Sequence, residues 1–339
     1  MDKLETALDK LLHFKNLSFE EASSAMEDIM SGTVPPTRLA AFLVALRMKG
    51  EAAEEVAGCA AVMRKHARAV ECPNPNAVDL VGTGGDGART FNISTTSAFV
   101  AAGAGVMIAK HGNRAVSSRS GSADVLASLG VKLEMPPEKL TECLSSVGMA
   151  FLFAPFLHPA MRHAMPVRKE LGVRTIFNIL GPLSNPAGCR RLVIGVYEPR
   201  LCKLVAEAAL RLGAEKALVI HGSDGLDEIT STGPTYVSEI SDGMVNEYIL
   251  TPEELRLPLA ASSDLIGGTP EENAAVIRDI LAGKITGPKR DIVLVNASAA
   301  ILIAGLAEDW PGAFRLAESS LSSGAAEQKL NALVKFTQK

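Results

Sequence analysis

The sequence predicts an α/β protein: a mainly parallel central sheet flanked by helices, with a small all-α domain. Three observations carry this expectation. The first 68 residues read as helices throughout. From residue 77 the rhythm changes to short apolar strand, glycine-rich loop and helix, and strands separated by helices imply a parallel sheet. The chain is 47% hydrophobic yet only 4% aromatic, a core rich in Ala, Leu, Val and Gly that suits helices packed on a sheet. At 339 residues it is long for one compact unit, so one large domain plus a smaller one is expected.

The helical part begins with Leu4, Leu8, Leu11 and Leu12 at helical spacing. Ser18 and Glu21 form a Ser-x-x-Glu capping box that starts a second helix. A third runs from Pro36 to Gly50, with proline at its start and glycine at its stop. "EAAEEVAGCAAVMRKHA" makes a fourth. The third helix carries Leu39, Phe42, Leu43 and Leu46, more apolar surface than a thin four-helix unit covers. Either the rest of the chain or a second subunit must bury it.

"ECPNPNA" breaks the pattern with two prolines and marks a boundary. Strands are expected at "AVDLV", "VMIA", "MAFLF", "RLVIGVY" and "KALVIHG", with helices between them. "TYVSEISDGMVNEYIL" reads instead as an antiparallel hairpin turning at Asp242-Gly243. The tail from about residue 270 returns to helices. In such a sheet, ligands bind at the carboxyl ends of the strands.

Composition narrows the function. A net charge of −4 argues against general nucleic-acid binding. Cys59, Cys72, Cys143, Cys189 and Cys202 are odd in number and form no Cys-x-x-Cys pair, so they read as reduced, buried thiols. The charged stretch "MDKLETALDKLLHFKN" is not a signal peptide, and no apolar run is long enough to span a membrane. A cytoplasmic protein is expected.

The chemistry concentrates in "DLVGTGGDGART". Gly82 and Gly87 have P-loop spacing, but Ala88 and Arg89 follow where Lys and Ser/Thr are required. The Gly82-x-Gly84-x-x-Gly87 pattern has the dinucleotide spacing. Yet Lys110-His111 stands where an acidic residue would hold the ribose hydroxyls. A loop for a ligand that is more than phosphate remains. Gly82, Gly84 and Gly85 let backbone N–H groups approach oxyanions, and Asn92, Ser94, Thr95 and Thr96 stand where the next helix begins. A second loop adds Lys110, Asn113, Arg114, Ser117, Ser118, Arg119 and Ser122. Asp86 would repel a bare phosphate but suits a sugar hydroxyl or a metal. The first loop therefore predicts a ribose carrying phosphates. Beyond "KALVIHG", Asp227 and Glu228 stand side by side. Alone, such a pair is usually solvated turn charge; after a strand end, with two phosphate loops nearby, it suits magnesium.

Together "GTGGDG", "TFNIST", "KHGNRAVSSRSGSADVL", "RKELGVRTIFNILGPLSNP" and "GLDEIT" resemble the anthranilate phosphoribosyltransferases of tryptophan synthesis, in that family's order and over nearly the whole chain. The resemblance implies a two-domain fold of the nucleoside phosphorylase/phosphoribosyltransferase type. Residues 1–70, with a returning segment near 155–185, would form the helical domain, and 75–339 the α/β domain. It implies a homodimer through the helical domains. It implies transfer of phosphoribosyl from 5-phosphoribosyl-1-pyrophosphate (PRPP) to the amine of anthranilate, with two magnesium ions accompanying PRPP. The implied PRPP contacts are Gly82, Gly85, Asp86, Thr90, Asn92, Ile93, Ser94, Thr95, Lys110, His111, Gly112, Asn113, Arg114, Ala115, Val116, Ser117, Ser118 and Ser122. Magnesium would meet Ser94, Asp227 and Glu228. Anthranilate would meet Gly82, Asn113 and Arg168, whose guanidinium can fork onto its carboxylate. His111 and His158 are weaker candidates for that pocket, and no general acid or base is assigned. Two rivals stand beside this reading: a pyrimidine-nucleoside phosphorylase-like enzyme, and a non-catalytic relative that binds nucleic acid.

Overall fold

The computed structural model describes residues 3–85, 87, 89–115 and 119–339. Four helices come first: α1 (Lys3–Leu12), α2 (Phe19–Met30), α3 (Pro36–Lys49) and α4 (Ala53–Lys65). The capping box forms as expected, with the Ser18 N–H donating to Glu21 Oε2 at 2.9 Å and the Glu21 N–H to Ser18 Oγ at 3.3 Å. Leu39, Phe42, Leu43 and Leu46 are all buried within the protomer. No second subunit is needed to cover them. Helix α3 packs against α1 and against a later helix, α9 (Met165–Leu171), while a 3-10 turn at Pro159–His163 packs on α2.

A seven-stranded sheet follows: β1 (Val78–Gly82), β2 (Ile108–Gly112), β3 (Met149–Phe153), β4 (Arg191–Gly195), β5 (Lys216–Gly222), β6 (Thr235–Ser241) and β7 (Met244–Leu250). Its order is β3-β2-β1-β4-β5-β6-β7. Strands β1 to β5 pair in parallel, and β6 and β7 close one side antiparallel. The parallel strands are buried almost without interruption, as strands covered on both faces must be. The β6–β7 hairpin turns on Asp242 and Gly243 with φ of 51° and 74°, the left-handed pair that matches strand twist.

Helices α5 (Ile93–Gly103) and α13 (Pro288–Ala304) pack on each other and on the central strands. Helices α14 (Trp310–Ser322) and α15 (Ala325–Thr337) pack against α5. Helix α11 (Leu201–Arg211) joins β5, β6 and β7 to α4. Helices α6 (Ser122–Ser128), α7 (Pro137–Val147), α8 (Ala154–Leu157), α10 (Phe177–Leu180) and α12 (Pro270–Leu281) complete the set. Among the described residues no helix is long and apolar enough to cross a membrane. All five cysteines are free; four are buried and Cys72 is half-buried.

One expectation needs correction. By residue type "VMIA" is the second strand and a loop opens at Lys110, whereas β2 runs through Lys110, His111 and Gly112. These three pair with Phe151, Leu152 and Phe153 of β3, so Lys110 and His111 carry buried side chains instead of loop-borne ones. The Lys110 cation is tolerated there because the interior supplies partners, and burial keeps the His111 imidazole neutral.

Candidate active site

The chain leaves β1 towards β2 and β3 on one side, and returns through β4 to the other, so β1 and β4 flank a topological switch point. Crevices at the carboxyl ends of such strands are where open α/β sheets bind ligands. Gly82 and Gly195 end the two strands and pair with each other in register. The turn bearing Asp227 sits directly on them. A Cβ on Gly195 would lie 1.7 Å from the Asp227 carbonyl oxygen, and one on Gly82 would lie 2.2 Å from Asp227 Oδ2. Both positions therefore require glycine for the carboxylate turn to seat.

Asp227 and Glu228 then reach the two backbone features a phosphate ligand would use. Asp227 Oδ2 accepts the Gly84 N–H at 2.8 Å, and Glu228 Oε1 accepts the Ser94 N–H at 2.9 Å at the start of α5. Among the described residues no group of three or more His, Cys, Asp and Glu side chains gathers to hold a metal. What is present is a pair of carboxylates beside the Ser94 backbone. Hard oxygen donors in this number fit magnesium, which takes one or two carboxylates and fills its remaining positions with water and phosphate oxygens.

Lys110 lies beneath the same point. Its Nζ donates to the Leu80 carbonyl and lies 3.5 Å from Ser94 Oγ. Burial pushes its pKa down, while Asp79, Glu228 and Asp227 in turn favour the charged form. Asp79, an acid within the apolar strand "AVDLV", went unremarked in the sequence. Its carboxylate accepts the His111 N–H at 3.0 Å and Asn185 Nδ2 at 2.7 Å, and burial raises its pKa to about 6. Asn185 also donates to the Ala109 carbonyl at 2.8 Å. A lone acid in a buried strand must be partnered, and that was the available signal.

Asp124, which no motif in the sequence singles out, organises the second loop. Asp124 accepts the N–H groups of Ala115 (2.8 Å) and Gly121 (3.0 Å) and pairs with Arg114 Nη1 at 2.9 Å. Burial alone would raise its pKa; those donors outweigh it and hold the carboxyl below its usual range. Asn113 accepts the Arg114 N–H through Oδ1 at 2.7 Å, and its carbonyl accepts Ser122 Oγ at 3.3 Å. Asn92 joins the loops: Nδ2 donates to the Ser120 carbonyl, and Oδ1 accepts Ser120 Oγ and Asn273 Nδ2, all at 3.0–3.1 Å. Ile93 and Thr95 are buried in α5, and Thr90 bridges to Ile266. Asp86, Val116, Ser117 and Ser118 lie outside the described residues.

Arg168 sits on α9 with its guanidinium carbon 5.0 Å from the Phe177 ring centroid. It makes no ion pair among the described residues, and burial lowers its pKa. Phe177 begins α10, and the Gly181 carbonyl just beyond that helix lies 3.2 Å from His111 Nδ1. The α10 segment on which Arg168 stacks therefore touches the end of β2. His111 and His158 have ring centroids 5.1 Å apart, and both Nε2 atoms are buried without a hydrogen-bond partner among the described residues.

Burial depresses His111 to about 3, helped by His158, and burial likewise depresses His158 to about 4. Both are neutral at pH 7. As the pH falls from 6.5 towards these values, the unfolded chain takes up protons that the folded chain refuses, and stability is lost. Asp79 acts oppositely between 3.8 and about 6, where the folded chain holds the proton more tightly. Two histidines against one carboxyl leave stability falling with pH. The urea midpoint is expected to drop between about pH 7 and pH 5, and His158→Gln to flatten that drop. A wild-type midpoint that does not move would contradict the neutral-pair assignment.

The helical bundle domain of the glycosyl transferase family matches residues 5–67, and that family's α/β domain matches residues 74–327. Both domains thus place the chain in the glycosyl transferase family, with the fold and crevice in keeping. An anthranilate phosphoribosyltransferase from Moorella thermoacetica is 51% identical over 335 residues, 99% of this chain and 98% of that protein. The crystal structure of the Thermus thermophilus anthranilate phosphoribosyltransferase superposes with a TM-score of 0.94 at 46% identity, covering 100% of both chains. The Saccharomyces cerevisiae enzyme, in complex with PRPP and Mg, gives 0.91 at 31% identity over 99% of this chain and 98% of that one. This chain belongs to the anthranilate phosphoribosyltransferase family.

Proposed function

We propose that the chain transfers the 5-phosphoribosyl group of PRPP to the amine of anthranilate, giving N-(5-phosphoribosyl)anthranilate and pyrophosphate, in tryptophan biosynthesis. The observation that carries this reading is the carboxylate pair bonded to the Gly84 and Ser94 N–H groups at the switch point between β1 and β4. PRPP is assigned to Gly82, Gly85, Asp86 and Thr90 of the first loop, the start of α5 at 92–95, residues 110–118 and Ser122. Lys110 and His111 contribute through backbone and electrostatics, since their side chains are buried. Anthranilate is assigned to Gly82, Asn113 and Arg168.

Ser94, Asp227 and Glu228 are the proposed ligands for two magnesium ions, which when bound would supply positive charge to the leaving pyrophosphate. The residues themselves position and exclude water. The bond from C1 to pyrophosphate oxygen breaks, the bond from the amine nitrogen to C1 forms, and the amine releases one proton. An aryl amine is already neutral at pH 7, so no general base is assigned. The test uses anthranilate's own fluorescence, which is expected to decay with enzyme only when PRPP and magnesium are both present. Decay without PRPP, or phosphate-dependent cleavage of a nucleoside instead, would overturn the reading.

The division into residues 1–70 with 155–185, and 75–339, is proposed with it, as are a cytoplasmic location and a homodimer. Support for the dimer moves from the buried face of α3 to its exposed one. Val44 is 36% and Met48 72% exposed, and Leu12 and Phe14 are 63% and 69% exposed. Lys49 Nζ donates to Asn16 Oδ1 at 2.8 Å, which keeps the 13–16 turn at the same end of α3 as Met48. Exposed apolar groups on α3 and on the segment that Lys49 ties to its end support an interface here. Val44→Glu with Met48→Glu is expected to give a monomer by sedimentation, and a wild type monomeric at micromolar concentration would exclude the dimer.

A further inference from the structure

Gly84 and Gly85 both have left-handed backbones, with φ of 63° and 73°. Two such glycines in succession carry the largest conformational entropy a loop can lose on binding a ligand. Something must hold them if the loop is to be ready for phosphate. Asp227 holds the Gly84 N–H, as described. The Gly85 carbonyl is held by Arg174.

Arg174 lies in "GVRT", the stretch just after α9, six positions beyond Arg168. Its Nη2 donates to the Gly85 carbonyl oxygen. Its guanidinium carbon stands 3.9 Å from the Tyr197 ring centroid, and Nη1 is 3.7 Å from Glu198 Oε1. Glu198 is itself fixed by Arg200 Nε at 2.6 Å. A guanidinium is planar and stacks on one face while its N–H groups donate in plane, so one side chain serves ring, carboxylate and carbonyl at once. We propose that Arg174 is a positioning residue that clamps the Gly85 carbonyl and thereby pre-forms the first phosphate loop.

The assignment of that loop to PRPP rests on the function proposed above; the clamp itself does not. Pinning the 84–85 peptides at the Gly84 N–H and the Gly85 carbonyl removes freedom that the donor would otherwise have to quench on binding. It also joins the segment bearing Arg168 to the donor loop through a single side chain.

The test compares Arg174→Ala and Arg174→Lys with the wild-type enzyme. Hydrogen exchange of the peptide covering residues 83–90, measured without substrate, is expected to speed several-fold in Arg174→Ala while exchange in the sheet is unchanged. The KM for PRPP is expected to rise about fivefold to tenfold, with the KM for anthranilate within about twofold of wild type. Arg174→Lys, which can still donate to a carbonyl but cannot stack and fork, is expected to recover part of both effects. Unchanged exchange at residues 83–90 would overturn the clamp. So would faster exchange spread over the whole fold, or equal rises in both KM values. If wild-type enzyme shows no PRPP-dependent transfer, the function fails instead, and the exchange result still judges the clamp.

Discussion

Asp227→Asn combined with Glu228→Gln is expected to leave a folded protein whose magnesium midpoint rises at least about 100-fold and whose saturated rate stays low. Loss of an outer partner of a metal ligand already costs roughly 10- to 100-fold in affinity, so loss of charge from both proposed ligands exceeds it. Folding is expected to survive because an amide oxygen can accept the Gly84 and Ser94 N–H groups that the carboxylates accept now. Lys110 adds a second effect. Glu228 and Asp227 both favour its charged form against burial, so removing both charges lowers its pKa further. Asp86→Asn separates sugar from metal. If Asp86 meets the ribose, PRPP use is impaired with little change in magnesium demand. An unchanged midpoint in the double variant, titrated at saturating PRPP, would falsify the metal assignment. A shifted midpoint in Asp86→Asn would move that residue to the metal's outer sphere.

The parts legible in the sequence share a local cause. The Ser18–Glu21 box, the Asp242-Gly243 turn and the stop of α3 at Gly50 are all written within a few residues of where they act. What could not be read depends on distant partners. Lys110 and His111 look like loop residues by type, and only the β3 ladder with the carboxylate of Asp79 makes a buried strand of them. Asn185 reaches Asp79 from beyond α10, and Arg174 reaches Gly85 from far along the chain, with nothing in either neighbourhood to announce the pairing. The apolar face of α3 was visible as an excess. Its cover lies partly in α9, more than a hundred residues later, so the residues that seemed to need a partner are core, and Val44 and Met48 are left outside.

Arg168→Ala is expected to raise the KM for anthranilate about 10- to 150-fold while leaving the KM for PRPP nearly unchanged. A hydrogen bond to a charged group contributes roughly 1.5–3 kcal/mol, which converts to that range. The setting favours a substantial effect. The guanidinium is half-buried, stacked on Phe177 and without an ion pair among the described residues, so a carboxylate gains a cation already partly stripped of water. Arg168→Lys keeps the charge but loses the planar fork, and is expected to fall between Ala and wild type. Aniline, an acceptor with the amine but no carboxylate, supplies the control. Its transfer is expected to be poor in the wild type and no poorer in Arg168→Ala, because the contact removed is one aniline never makes. Equal losses for anthranilate and PRPP, or an aniline rate that falls as far as the anthranilate rate, would assign Arg168 to the folding of α9 over Phe177 and leave the acceptor carboxylate to another group.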